Sequence, residues 1–168
     1  DSTNTMVLRS DGKVEGTTPL DYDKPAPATD LPTQELLALL PMVWRDAATD
    51  GPPTNCFIIG YGTGTTAATI LSAAPSIKLQ VAEIEPALLE GAANFRRNAA
   101  IVPRQAVTTG DARHILAQSK EQFDLIISQP AEPWVQGSTN LYSQEFYQLV
   151  KSRLRKNGSY CQWMQLYG

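Results

Sequence analysis

One histidine, two cysteines and three methionines in 168 residues remove whole classes of chemistry. Cys56 and Cys161 lie in apolar, strand-like runs with no CxxC partner. Neither a zinc centre nor a disulfide framework is expected from them, and a reducing compartment is the default. His114, in a helix after Asp111, reads as a surface residue rather than a catalyst, and no metal-ligand set is present. No run approaches the roughly 20 apolar residues of a membrane span, and no signal-peptide pattern opens the chain. A net charge of -3, with Arg153, Arg155 and Lys156 as the densest basic group, argues against a general nucleic-acid surface. Those three read as cations near a helix C-terminus. No internal repeat is visible. The chain begins at Asp1 without Met, so an excised piece of a longer protein is expected.

What is present is enough for one core, since 42% of the residues are hydrophobic and the length suits a single main domain. The segment from Cys56 to Glu85 is the most informative. Phe57, Ile58 and Ile59 form the continuous apolar run of a strand buried on both faces, and Gly60, Gly62 and Gly64 let the backbone turn sharply against a ligand. Residues 65–74 read as the following helix, whose unpaired amides face the loop. Residues 79–84 return as a strand that puts Glu83 about 20 residues beyond the first glycine, the place of an acid that takes ribose hydroxyls. The spacing G-x-G-x-G differs from the G-x-G-x-x-G of dinucleotide sites and points to S-adenosyl compounds.

Around this unit, strands are expected at 56–60, 79–84, 106–108, 124–128 and 158–164, and helices at 65–74, 86–98, 112–118 and 143–155. Such alternation specifies an α/β domain, a parallel sheet with helices on both faces, whose ligands bind at the carboxyl ends of the strands. Residues 1–30 are expected to form a separate N-terminal β-hairpin and loop, with a turn at Ser10-Asp11-Gly12, and 31–168 the nucleoside-binding domain. Pro32 opens a helix with Leu36, Leu37, Leu39 and Leu40 on a broad apolar face before Pro41.

The rim of the sheet collects the candidate site. Asp111 suits an exocyclic adenine amine and the Ala112 amide a ring nitrogen, although an N-cap aspartate reads equally well. Ser128, Gln129, Glu132 and Trp134 project from the exit of the fourth strand. Glu132 is the one carboxylate of that loop and the candidate general base or ammonium anchor. Trp134 walls an acceptor pocket or packs in the core.

Asp11 to Glu15, Thr33-Gln34-Glu35-Leu36, the GYGTGT loop, Glu83 to Glu85, Gly110-Asp111, the 124–134 loop, the LYSQEFY run and the closing QWMQLY together resemble the spermidine/spermine synthase family, closest to a bacterial spermidine synthase-like branch. The resemblance implies a Rossmann-like class I methyltransferase sheet, truncated at the C-terminus, with a small N-terminal hairpin. It implies transfer of an aminopropyl group from decarboxylated S-adenosylmethionine to a polyamine-type amine. The nucleoside would be bound by Gln34, Gly60, Gly62, Thr63, Gly64, Glu83, Asp111, Ala112 and Ser128. Gln129, Glu132 and Trp134 would meet the acceptor, with Gln129 and Glu132 as the catalytic pair. The family carries an aspartate where Thr63 stands and its catalytic aspartate where Gln129 stands. Two alternatives therefore remain open: an S-adenosylmethionine-dependent methyltransferase and a non-catalytic nucleoside-binding module. The truncated sheet leaves an edge suited to a homodimer. The implied location is cytoplasmic, as a free protein or as a domain of a larger membrane-anchored one.

Overall fold

The computed structural model describes residues 4–10, 12–26, 29–48, 51–130, 134 and 138–164, without the side chains of 45–48. Two antiparallel strands come first, β1 (Thr5–Ser10) and β2 (Lys13–Pro19), with Gly12 at φ +79° in the turn between them. Helix α1 (Leu31–Ala48) leads into β3 (Asn55–Ile59), α2 (Thr65–Ala73) and β4 (Lys78–Glu83). Then follow α3 (Pro86–Ala92), α4 (Arg96–Ile101), β5 (Val107–Thr109), α5 (Ala112–Gln118), β6 (Phe123–Ser128), α6 (Gln144–Arg153) and β7 (Leu154–Gln162).

Strands β3 to β7 form one parallel sheet in the order β5-β4-β3-β6-β7. The order reverses at β3, so the crevice above β3 and β6 is where such a sheet opens for a ligand. Strict alternation along β3 serves two cores. Cys56 and Ile58 join Leu37, Ala38, Ile70, Val81 and Leu125 on the α1 and α2 side. Phe57 and Ile59 join Leu116, Phe123, Ile126 and Phe146 on the α5 and α6 side, with the Phe57 and Phe123 rings 5.3 Å apart. A strand covered on both faces has no polar position to spare, hence the unbroken apolar run. Burial, with Asp124 nearby, pushes the Cys56 thiol well above its ordinary range, so it behaves as a small hydrophobe. No helix among the described residues is long and apolar enough to cross a membrane.

Three expectations need correction. Helix α1 runs through Pro41 to Ala48, because Gln34, Leu37, Ala38, Pro41 and Met42 make one buried stripe that continues past the proline. Of the four leucines, Leu37 alone is buried; Leu36, Leu39 and Leu40 face outward with Val43 and Trp44, the last 75% exposed. The expected helix at 86–98 is two helices, because the Asn94 side chain bonds the Gly91 carbonyl and competes with the helical ladder. Strand β7 begins at Leu154, so Arg155 and Lys156 are strand residues, with Asn157 at φ +63° before Gly158. Arg153 does end α6, but its guanidinium bonds the Leu116 and Ala117 carbonyls at the end of α5. That cation therefore caps a neighbouring helix.

Buried Asp124, its side chain 1% exposed, ties the amino ends of three strands together. One carboxylate oxygen accepts from Thr54 N (2.7 Å), Thr54 Oγ1 (2.8 Å), Asn55 N (3.1 Å) and Arg155 Nη1 (3.0 Å). Asp124→Ala is expected to lower the unfolding free energy in urea by about 3–5 kcal/mol, the cost of breaking a buried charge network. Arg155→Met, which removes a half-exposed partner and leaves the backbone donors in place, is expected to cost clearly less in the same titration.

Candidate active site

Strand β3 delivers the chain into a loop whose shape depends on glycine. Gly60, Gly62 and Gly64 have φ of +84°, +53° and +79°, a region that residues with a Cβ rarely adopt. At Gly64 a Cβ would also lie 2.7 Å from the Tyr61 hydroxyl. The loop is clamped to β4 from two sides. Gly60 N donates to Ala82 O at 2.8 Å, and Tyr61 N donates to the Glu83 carboxylate at 2.7 Å. The other Glu83 oxygen accepts from Glu85 N at 3.0 Å. Glu83 is only 3% exposed, yet each of its oxygens keeps a lone-pair direction for a ligand hydroxyl.

Behind the loop a chain of hydrogen bonds has a fixed direction. Asn98 Nδ2 donates to the Thr63 carbonyl (3.0 Å) and to Thr65 Oγ1 (3.0 Å), which settles which end of that amide is nitrogen. Thr65 Oγ1, having accepted, has its proton for Thr63 Oγ1 at 2.8 Å, and Thr63 Oγ1 donates to Gln34 Oε1 at 2.7 Å. The Gln34 carbonyl is thereby spent inside the protein. Its Nε2 lies beside Gly16 of β2 and donates to no protein atom among the described residues. Gly16 is required there: a Cβ would stand 2.9 Å from Thr63 Cγ2 and 3.0 Å from Gln34 Nε2.

The exit of β6 carries the opposite polarity. Gln129 Nε2 donates to the Gly60 carbonyl at 2.6 Å, so its Oε1 is the outward atom and is the side-chain atom nearest a Cβ built at Gly62. The Tyr142 hydroxyl donates to the Pro130 carbonyl at 2.6 Å and holds the start of the following loop. Asp111 caps α5 through Arg113 N at 2.8 Å, and Glu85 caps α3 through Ala87 N at 3.0 Å.

These elements enclose a cavity of about 490 Å³, a size that suits a nucleoside-like ligand. Of the expected residues, Gln34, Gly60, Gly62, Glu83, Asp111, Ala112 and Gln129 line it together. Thr63, Gly64, Ser128 and Trp134 do not line it. Thr63 and Gly64 support the loop from behind. Ser128 is fully buried at the end of β6, where its hydroxyl and the buried Tyr160 hydroxyl lie against each other without a well-directed bond. Burial pushes the Tyr160 phenol well above its ordinary range. Trp134 is 60% exposed, and Glu132 falls outside the described residues. Among the described residues no group of three or more His, Cys, Asp or Glu is placed to hold a metal ion.

Sequence reasoning missed the hairpin side of this cavity. Ser10, Lys13, Val14 and Glu15 reach it from β1 and β2, Asp30 from the start of α1, and Trp163 from beyond β7. The signal available was the Asp11 to Glu15 run, which reads as a turn and carries no hint that it folds over the sheet rim.

Comparison with known proteins agrees with this geometry. Residues 32–165 match the spermine/spermidine synthase domain. Polyamine aminopropyltransferase 2 of Streptomyces coelicolor is 34% identical over 118 residues, which cover 66% of this chain and 21% of that protein. Among solved structures, a spermidine synthase in complex with the transition-state analogue AdoDATO superposes with a TM-score of 0.65 at 22% identity, over 88% of this chain and 50% of the other. A plantazolicin methyltransferase in complex with SAH gives a TM-score of 0.57 at 13% identity, over 75% of this chain and 44% of the other. The likeness to both structures is one of fold, a Rossmann-like sheet shared by spermidine synthases and methyltransferases. The chain thus spans half or less of each of these three proteins, and its domain belongs to the spermine/spermidine synthase family.

Proposed function

We propose that this domain binds decarboxylated S-adenosylmethionine and passes its aminopropyl group to a polyamine-type amine. The observation that carries the reading is the Glu83 carboxylate, buried beneath the glycine loop and open to the cavity. The ribose hydroxyls donate to Glu83, the Gln34 amide donates to a ribose oxygen, and adenine lies along Asp111 and Ala112. Glycines 60 and 62 allow the backbone to approach the sulfur-bearing end. The acceptor nitrogen attacks the methylene carbon on the sulfonium; the C–S bond breaks with its electrons returning to sulfur, and methylthioadenosine leaves. Holding the two reacting atoms in line is the main service a protein gives such a displacement. Gln129 Oε1 accepts one N–H of the incoming amine, and Glu132 takes the proton that the new C–N bond releases.

A second reading, methyl transfer from S-adenosylmethionine, is favoured by one observation. Thr63 is turned into Gln34, so the glycine loop gives the cavity no charge with which to choose a decarboxylated donor. Calorimetric titration with the two donors side by side separates the readings, and a preference for the carboxylated one sinks the first.

A second copy of the chain is the proposed partner. Leu40, Val43 and Trp44 of α1, which packs beside β7, are exposed and form an apolar face for it. Sedimentation equilibrium is expected to return the mass of two chains; a single-chain mass at micromolar concentration removes this partner.

Two substitutions test the chemistry. Glu83→Gln is expected to weaken methylthioadenosine binding roughly ten- to hundred-fold, the range for a hydrogen bond to a charged group, and to lower the melting temperature as well, since one of the two loop amides it holds loses its acceptor. Gln129→Asp supplies a second base at the rim and is expected to raise the release of methylthioadenosine from decarboxylated donor plus diamine, by up to about 10²-fold. Turnover unchanged by this substitution counts against aminopropyl transfer.

A further inference from the structure

A second cavity, of about 460 Å³, lies between the hairpin and α4. It shares no lining residue with the first, and no part of the proposed reaction uses it. Its size is that of a small-molecule site. Met6, Pro19, Leu20 and Phe95 give it apolar walls, with Phe95 only 5% exposed. Arg96 and Arg97 stand at these walls, and the described lining contains neither a carboxylate nor a lysine.

The two arginines keep their charge unanswered. Among the described residues neither Arg96 nor Arg97 has an ion-pair partner. Asp21, the acid next to Tyr22, is taken by Lys24 at 2.9 Å. Arg97 is held in place by a contact that leaves it charged, its guanidinium carbon 4.2 Å from the centre of the Tyr22 ring. A guanidinium over an aromatic face keeps the N–H groups of its fork available to an anion.

Two buried polar atoms point to a ligand independently of this charge. Thr18 is 2% exposed and Asn98 4%, and both line this cavity and not the first. Asn98 spends its Nδ2 on Thr63 O and Thr65 Oγ1, which leaves Oδ1 as an acceptor with no protein donor among the described residues. Thr18 stands on the face of β2 that carries Gly16, opposite to Thr17. Its hydroxyl likewise bonds no protein atom among the described residues. Neither oxygen is sealed from solvent, so both open on the cavity their residues line. A buried acceptor and a buried hydroxyl call for hydrogen-bonding groups on whatever fills the space.

From these observations we infer that the cavity is a second ligand site, for a hydroxylated phosphate monoester about the size of a sugar phosphate. A phosphate monoester carries close to two negative charges at neutral pH, which answers two guanidiniums, and its oxygens match their forks. Hydroxyls on the body of the ligand donate to Asn98 Oδ1 and bond Thr18 Oγ1, while its carbon skeleton meets the apolar walls. The inference goes beyond the nucleoside reading and does not rest on it.

The test is an amide-shift NMR titration of the isotope-labelled chain with glucose 6-phosphate, repeated with inorganic phosphate and with glucose. Excess methylthioadenosine is present throughout to engage the first cavity. Shifts are expected at Thr18, at Tyr22 and from Asn94 to Asn98. Either half of the probe alone is expected to bind about ten-fold more weakly than the ester, or worse. Arg96→Gln and Arg97→Gln, at exposed positions, are each expected to cost about ten-fold in affinity, and Thr18→Val, which keeps the shape and loses the hydroxyl, about five-fold. Thermal melts establish that each variant is folded. No shift in these segments at millimolar ester overturns the inference. Inorganic phosphate binding as tightly as the ester overturns it too, because the arginines then meet a bare anion and the cavity contributes nothing. So does affinity for the ester that is unchanged in both arginine variants.

Discussion

The Glu83 carboxylate under the glycine loop is the contact on which the site depends. Strand β3 must leave the sheet at Gly60, and a loop with three left-handed residues has no ladder of its own to hold it. The amide of Tyr61 would be an orphan at the edge of the core; Glu83 takes it at 2.7 Å. A charged acceptor makes a shorter and stronger bond than an amide carbonyl, and the same carboxylate fixes the turn after β4 through Glu85 N. One side chain therefore sets the positions of two rim loops. Because it does so with one lone pair of each oxygen, it remains an acceptor for a ligand. The side chain that holds the two loops also faces the cavity.

Much of this was legible in the sequence, and the reason is local. The run from Phe57 to Ile59, the glycines and the acid about 20 residues on each state a requirement of the backbone: burial on both faces, positive φ, an acceptor for the loop amide. Strand positions matched within about two residues for β3 to β6, the tolerance of any boundary. The errors came where distant contacts decide. Pro41 reads as a stop, but the stripe from Gln34 to Met42 is buried on both sides of it. Ser128 reads as a rim residue because it ends a strand, yet it is fully buried against the Tyr160 hydroxyl and does not line the cavity. Arg155 reads as a helix cation until Asp124 is seen 3.0 Å away, 31 residues distant in sequence. The hairpin acids were invisible for the same reason, since nothing within residues 1–30 says that the hairpin folds over the rim.

The two amides of the cavity show a further limit on what composition reveals. A glutamine is both donor and acceptor, and which end it offers is set by what holds the other end. Gln129 gives its nitrogen to the Gly60 carbonyl, an atom that can only accept, so its oxygen faces outward. Gln34 is fixed from three residues away in the chain of bonds: the Thr63 carbonyl orients Asn98, Asn98 orients Thr65, and Thr65 orients Thr63. The result is a donor at one wall and an acceptor at the other. The sequence contains both residues and neither direction.

That polarity bears on how a cavity without a carboxylate in its glycine loop can still be specific. A donor such as Gln34 Nε2 cannot hold an ammonium, and an acceptor such as Gln129 Oε1 can hold one N–H without neutralising its charge. Binding a cation in a space bounded by two apolar cores costs desolvation that a single neutral dipole does not repay. Carboxylates line the cavity from both sides, Glu83 and Glu85 at the end of β4, Asp111 before α5, and Glu15 and Asp30 on the hairpin side.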